Sequence, residues 1–263
     1  SNRNSYHSKT WLKQAVCPCM ALALVDQDML EPNDESMSSL CWKLAYSTTW
    51  WTVLYFALVR FKLWGHQSAE FYCRVVTVIH AVTAVTLAAG CYWQGPDPYT
   101  YPGELNTLLQ DTTLEISLGY FLYDLGWSLY HQTEPAIMIL HHIVSVISIG
   151  TVLFRRTSGG EAVAGILSLE ATNPLLQLRW FLRTAGYNHT LAHTTVELLF
   201  VVMFLVMRLG LGSALTYSVV SSSKPRYDVK VCTVSLYLIS LAFIFYIFQF
   251  IRRKYIGKKC NDN

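Results

Sequence analysis

Charge is the scarcest commodity in this chain: Asp, Glu, Lys and Arg make up only 14% of its 263 residues, while 52% are hydrophobic and 14% aromatic. A soluble domain carries about a quarter charged residues, so this balance excludes an ordinary water-facing surface and points to a polytopic membrane protein. The net charge of +3 is small. The basic residues sit at the ends of apolar runs rather than in a groove interleaved with aromatics, which argues against nucleic acid as a partner. No C-x-x-C occurs among the seven cysteines, which are scattered and odd in number, so neither a zinc framework nor a redox pair is supported. The C-x-C of Cys17 and Cys19 reads as two small apolar residues. G-x-S-x-G, a Gly-rich phosphate loop and a nucleophilic cysteine setting are also missing, which removes the commonest soluble hydrolase and nucleotide chemistries.

What the chain does have is a succession of long apolar runs. Residues 1–39 hold a short apolar piece, Ala15 to Val25, that cannot span a bilayer, followed by a polar acidic stretch, so they read as a flexible tail. Residues 40–64 form a first span and linker, with LAYSTTWWTVLYFALVRF rimmed by tryptophans and closed by Arg60 and Lys62. Further spans are expected from Phe71 to Trp93, Thr113 to Tyr130, Ala136 to Phe154, Ala162 to Leu182, Thr195 to Tyr217 and Val231 to Ile251, ahead of a basic cytoplasmic tail at 256–263. The fold class is therefore all-α, a membrane helical bundle or barrel of six to seven spans, the lower number applying if the fifth segment is re-entrant. The loop QGPDPYTYPGELNTLLQD has no basic residue and the C-terminus is rich in them, so the positive-inside rule places the C-terminus in the cytosol; Arg155 and Arg156 then fall on the wrong side. In the same orientation the sequon Asn188-His189-Thr190 is cytosolic and unused.

The informative residues are the polar ones inside the spans. In AIMILHHIVSVISIGTVLF, roughly 28 Å long at ~1.5 Å per residue, His141 and His142 lie at membrane depth, where imidazoles need a polar partner or a wet cavity. The turn HQTEP makes the third and fourth spans antiparallel neighbours, and counting out from it puts Asp124 at the depth of the histidine pair. Adjacent helical residues point about 100° apart, so one histidine faces Asp124 and the other faces elsewhere. Glu170 and Asn173 share a helix face at i and i+3, with Pro174 expected to kink the helix beside them and Gln177 extending the stripe. His80 and Arg208 add polar groups in two more spans. Each unpartnered charge costs roughly 2.5–3.5 kcal/mol or more at a helix centre, so convergence on one interior cavity is the economical arrangement. A carboxylate holding one imidazole nitrogen raises the basicity of the other, which makes Asp124 with His141 or His142 a candidate catalytic acid/base pair; a structural ion pair is the competing reading. His189 and His193 have the i, i+4 spacing of a zinc helix, but no third clustered histidine box accompanies them, and no metal is expected.

Together, GYFLYDLGW, the HH of ILHHIVSVISI and LEATNPLLQLRWFLRTAGY resemble the TLC-domain family, which takes in translocating-chain-associated proteins and Lag1 ceramide synthases, over residues 65–255. The last motif is most similar to the TLC domain-containing protein 5 subgroup. The resemblance implies a helical barrel with a polar intramembrane cavity. In the synthases the paired histidines, here His141 and His142, serve acyl transfer from acyl-CoA to a long-chain base; the downstream aspartates of that signature are replaced here by LSLEATNP. The leading expectation is a membrane protein that binds or handles lipid in a cavity lined by His80, Glu170, Asn173, Gln177 and Arg208 and so influences membrane lipid composition, without a resident cofactor. The alternatives are a ceramide-synthase-like acyltransferase with acyl-CoA as substrate and a non-catalytic trafficking protein. Membrane lipids are the expected partners, with self-association into a dimer admitted, in the endoplasmic reticulum or plasma membrane.

Overall fold

In the computed structural model the described residues are 34–62, 64–65 and 67–256, and they are helical with a single isolated antiparallel bridge, Leu105 to Thr157. The expectations for residues 1–33 and 257–263 lie outside them. The chain divides into a short N-terminal unit, Ser1–Leu40, and a main unit, Cys41–Asn263. Helix α1 runs Asp34–Phe61, so the end of the expected tail is helical. Then come α2 (Ala69–Gln94), α3 (Leu108–His131), α4 (Ala136–Arg155), α5 (Gly159–Glu170), α6 (Asn173–Thr184) and α7 (Leu191–Leu205). A π-helical stretch, Val206–Leu211, carries α7 into α8 (Gly212–Ser221), and α9 (Tyr227–Ile251) ends in a second π turn, Arg252–Ile256.

Local signals explain where these helices start and stop. Ser68 caps α2 by accepting from the Phe71 amide, and Thr107 with Gln110 forms a reciprocal capping box at α3. Pro174 opens α6 rather than bending a continuous helix: the expected fifth span breaks at Ala171–Thr172, where the missing proline N–H is not needed. His189 and His193 do not share a helix, because α7 begins only at Leu191; His193 is buried while His189 is exposed.

Packing brings the turns together at two ends. At one, the 95–107 loop is stitched to the α4–α5 turn by the Asn106 amide donating to the Arg156 carbonyl at 2.9 Å and the Ser158 amide to Glu104 at 2.8 Å. Ser218 at the end of α8 donates to the Tyr99 carbonyl at 2.8 Å. Arg155 and Arg156, which the positive-inside argument places on the wrong side, stand at this end and are neutralised by Asp228 (3.2 Å) and Asp111 (2.9 Å). At the opposite end Arg74 of α2 meets Glu134 of the α3–α4 turn at 3.8 Å and Gln177 of α6 at 2.9 Å. Inside, α2 buries Ala81, Ala84 and Ala88 completely, a small-residue face of the kind that lets membrane helices approach closely. At Gly119 a Cβ would lie 2.1 Å from Ser47 Oγ, so only glycine lets α1 and α3 touch there, with Trp51 Nε1 donating to the Ile116 carbonyl at 3.1 Å.

Four stretches are long and apolar enough to cross a membrane: Ala69–Gln94, Ala136–Arg155, Leu191–Ser221 and Tyr227–Lys254. Length and composition alone do not meet the expected six to seven, because α1 is rich in Trp, Tyr and Thr, α3 carries Asp111, Glu115 and Asp124, and α5 and α6 have 12 residues each. Helix α9 is mostly unburied, and Phe245 and Phe248 are exposed, as a lipid-facing helix requires.

Candidate functional site

The antiparallel α3–α4 hairpin sets the centre of the site. Its short turn, Gln132 to Pro135, brings Asp124 level with the double histidine, and His142 Nε2 lies 3.2 Å from Asp124 Oδ2. His142 is the member of the pair that faces the carboxylate, as their angular offset requires. Asp124 Oδ1 accepts from Cys73 Sγ at 3.7 Å, and Cys73 in turn accepts from the Tyr123 hydroxyl at 3.7 Å. His141 turns away from Asp124, its ring meeting Phe243 edge-on at 5.9 Å.

A second pair flanks the first. Glu170, 2% exposed at the end of α5, lies 3.4 Å from His80 Nδ1 and accepts from Asn173 Nδ2 at 2.8 Å, so the i, i+3 relationship survives the helix break between them. His80 stacks flat on Tyr120 at 3.7 Å, and the Tyr120 hydroxyl donates to Thr77 at 3.0 Å. Gln177 stands farther along α6, where its carbonyl oxygen accepts from Arg74, whose guanidinium also pairs with Glu70 at 2.8 Å and lies 4.7 Å over the Trp180 ring. Burial pushes the Glu134 carboxyl above its ordinary range in the nearby turn, and Arg74 opposes the shift.

Asp124, His141, His142, Glu170, Asn173, Gln177 and Arg208 all line one cavity of about 460 Å³. His80 does not: it is fully buried behind Tyr120 and reaches the cavity only through Glu170. The void thus joins α2 to α7 and α9, and the wall is apolar where Phe200, Phe204, Phe243 and Ile247 contribute. Cys73, Thr77, Tyr120 and Arg74 escaped the sequence reading although a signal existed: Cys73, Thr77 and His80 recur at i, i+4 and i+7, one face of α2. The π stretch around Arg208 has no such signature. Chemically, the arrangement presents a buried imidazole–carboxylate pair, a second carboxylate, a second imidazole and a guanidinium to a largely apolar cavity. That can hold a polar group on an apolar body and accept or donate a proton.

Residues 70–252 match the TLC domain. A TLC domain-containing protein of Arabidopsis thaliana is 27% identical over 141 residues, an alignment that covers 53% of this chain and 54% of that relative's length. With the match covering most of its residues and four helices apolar enough to cross a bilayer, the chain belongs to the TLC-domain family.

Proposed function

We propose that the protein is an intramembrane lipid handler that binds one lipid in the α2–α9 cavity, with the Asp124–His142 pair engaging its hydroxyl or amine and the aromatic wall taking its chain, and so influences membrane lipid composition. The observation that carries this reading is the 3.2 Å Asp124–His142 contact on the wall of the 460 Å³ cavity that Glu170 also lines. Arg74, Arg179 and Arg183 around the Gln177 end support a cytosolic cavity mouth and C-terminus. The match of residues 70–252 to the TLC domain supports a lipid-related role.

A second reading, acyl transfer from acyl-CoA to a sphingoid base, is favoured by His141 standing open to the cavity beside the anchored His142. There the amine would attack the thioester carbonyl, a C–N bond forming as the C–S bond breaks, with the imidazole moving the proton from amine to departing thiolate. The two readings separate on purified protein given labelled acyl-CoA and sphingoid base. Under the lipid-handling reading no product forms, and lipid co-purifying with the native protein falls at least fivefold in Asp124→Asn and His142→Ala. Turnover that is lost in both His141→Ala and His142→Ala establishes the enzyme instead, and unchanged co-purifying lipid in every variant rejects both.

A further inference from the structure

One buried cation makes no ion-pair contact among the described residues, although Glu170 lies within electrostatic reach of it. Arg208 is 7% exposed in the π stretch between α7 and α8. Its Nη2 donates to the Leu169 carbonyl at 3.3 Å and its guanidinium lies 4.8 Å over the Phe204 ring, while Nε and Nη1 are buried without a hydrogen-bond partner. The nearby carboxylates are committed elsewhere among the described residues, Glu170 to His80 and Asn173 and Asp124 to His142 and Cys73. A guanidinium at membrane depth with two unbonded nitrogens and no contacting carboxylate is expensive unless a ligand supplies the missing acceptors.

The space next to it is suited to such a ligand. A second, narrower chamber of about 100 Å³ lies between α4, α5, α8 and α9, and Phe121, Leu169 and Arg208 line both it and the larger cavity. Arg208 therefore stands where the two meet. Ser145, 2% exposed, lines the same chamber with its Oγ buried and unpartnered. Ser145 is one turn beyond His142 on α4 and Phe121 one turn before Asp124 on α3. Because these helices are antiparallel, both step toward the same end, which puts Ser145 at the level of the junction. Beyond it the walls are Val152, Ile166, Leu215, Val229 and Leu236, apolar side chains that suit a hydrocarbon tail.

We propose that Arg208 and Ser145 receive the anionic oxygens, carboxylate or phosphate, of a single-chain lipid whose first carbons occupy the narrow chamber while the rest of its tail leaves through the chamber's open side. The inference rests on the lipid-handling reading and deepens it by assigning a charge and a chain number to the ligand. Its test uses the full chain in detergent, with cis-parinarate as a fluorescent fatty acid and methyl parinarate as its uncharged counterpart. Arg208→Met should weaken parinarate binding at least tenfold and leave the methyl ester unchanged, Arg208→Lys should restore most of the affinity, and Leu215→Trp, which fills the chamber, should abolish binding of both. Displacement of parinarate by lysophosphatidate but not by inorganic phosphate is the expected competition; displacement by inorganic phosphate would remove the lipid from the proposal. Equal parinarate affinity in native protein and Arg208→Met overturns this assignment alone, as does an equal loss of acid and ester, whereas native protein that binds neither probe sinks the lipid reading as well. If Arg208→Met does not fold, Leu215→Trp decides, because retained parinarate binding there contradicts the proposal.

Discussion

Asp124 and His142 should be energetically coupled, and a double-mutant cycle with Asp124→Asn and His142→Gln measures by how much. At the observed 3.2 Å the upper bound for a carboxylate and a fully charged imidazole is about 5 kcal/mol at an effective dielectric constant of about 20. Desolvating two groups takes several kcal/mol back, because the carboxylate is 13% exposed and the imidazole 8%. The surplus falls in the range of roughly 1–3 kcal/mol found for contacting residues in one hydrogen-bond network. Asn keeps the shape of Asp and an acceptor for Cys73, so the cycle reports the carboxylate–imidazole contact rather than a new cavity. Unfolding free energies of the four proteins, measured by denaturant titration in mixed micelles, give the coupling directly. A cycle that closes to within about 0.5 kcal/mol means the two side chains are satisfied independently, and the site argument built on their pairing is then wrong.

Other consequences are as specific. Gly119→Ala should destabilise the protein by about 1–3 kcal/mol, since its Cβ would meet Ser47 Oγ at 2.1 Å and the Ser47 backbone at 2.9 Å; a melting temperature unchanged from native would show that α1 and α3 do not touch there. Thr107→Ala should cost about 1 kcal/mol by removing one half of the α3 capping box, read in the same titration, and Thr107→Ser should recover most of it. Glu134 gives a pH test. Burial raises its folded pKa above the unfolded value, so the native state binds the extra proton, the stability of native protein relative to Glu134→Gln is greatest in acid, and it declines as pH climbs through the folded pKa. The stability difference between native and Glu134→Gln should therefore shift in favour of the variant between acidic and neutral pH, and a pH-independent difference would contradict the stated cause.

The sequence carried the depth of the site better than its breadth. The five-residue turn HQTEP was enough to put Asp124 and the histidine pair level, because a short connection leaves antiparallel helices no freedom along their axes. Pro174 marked the place where the fifth segment fails to continue, although as the start of a new helix rather than a kink. Rotation about each axis was far less legible. His80 looked like a cavity residue from its position in α2 but stacks behind Tyr120, and the helical period says nothing about which neighbour fills the space in front of a side chain. Arg74 with Gln177, and Cys73 with Asp124, join residues distant in the chain, and such pairs emerge only when helices are placed side by side. The π turn that aims Arg208 between two chambers depends on one extra residue per turn, a distortion that apolar periodicity does not record.

The central claim is that ionisable side chains from separate helices share a single interior hollow that lipid enters. Photo-crosslinking with a diazirine-tailed single-chain lipid in membranes, followed by peptide mapping, tests it most directly. Adducts on the inward residues Phe121, Leu169 and Phe243, suppressed by excess unlabelled lipid, are the predicted result; adducts confined to the outward-facing Leu198, Val202, Phe245 and Phe248, untouched by competitor, would contradict it.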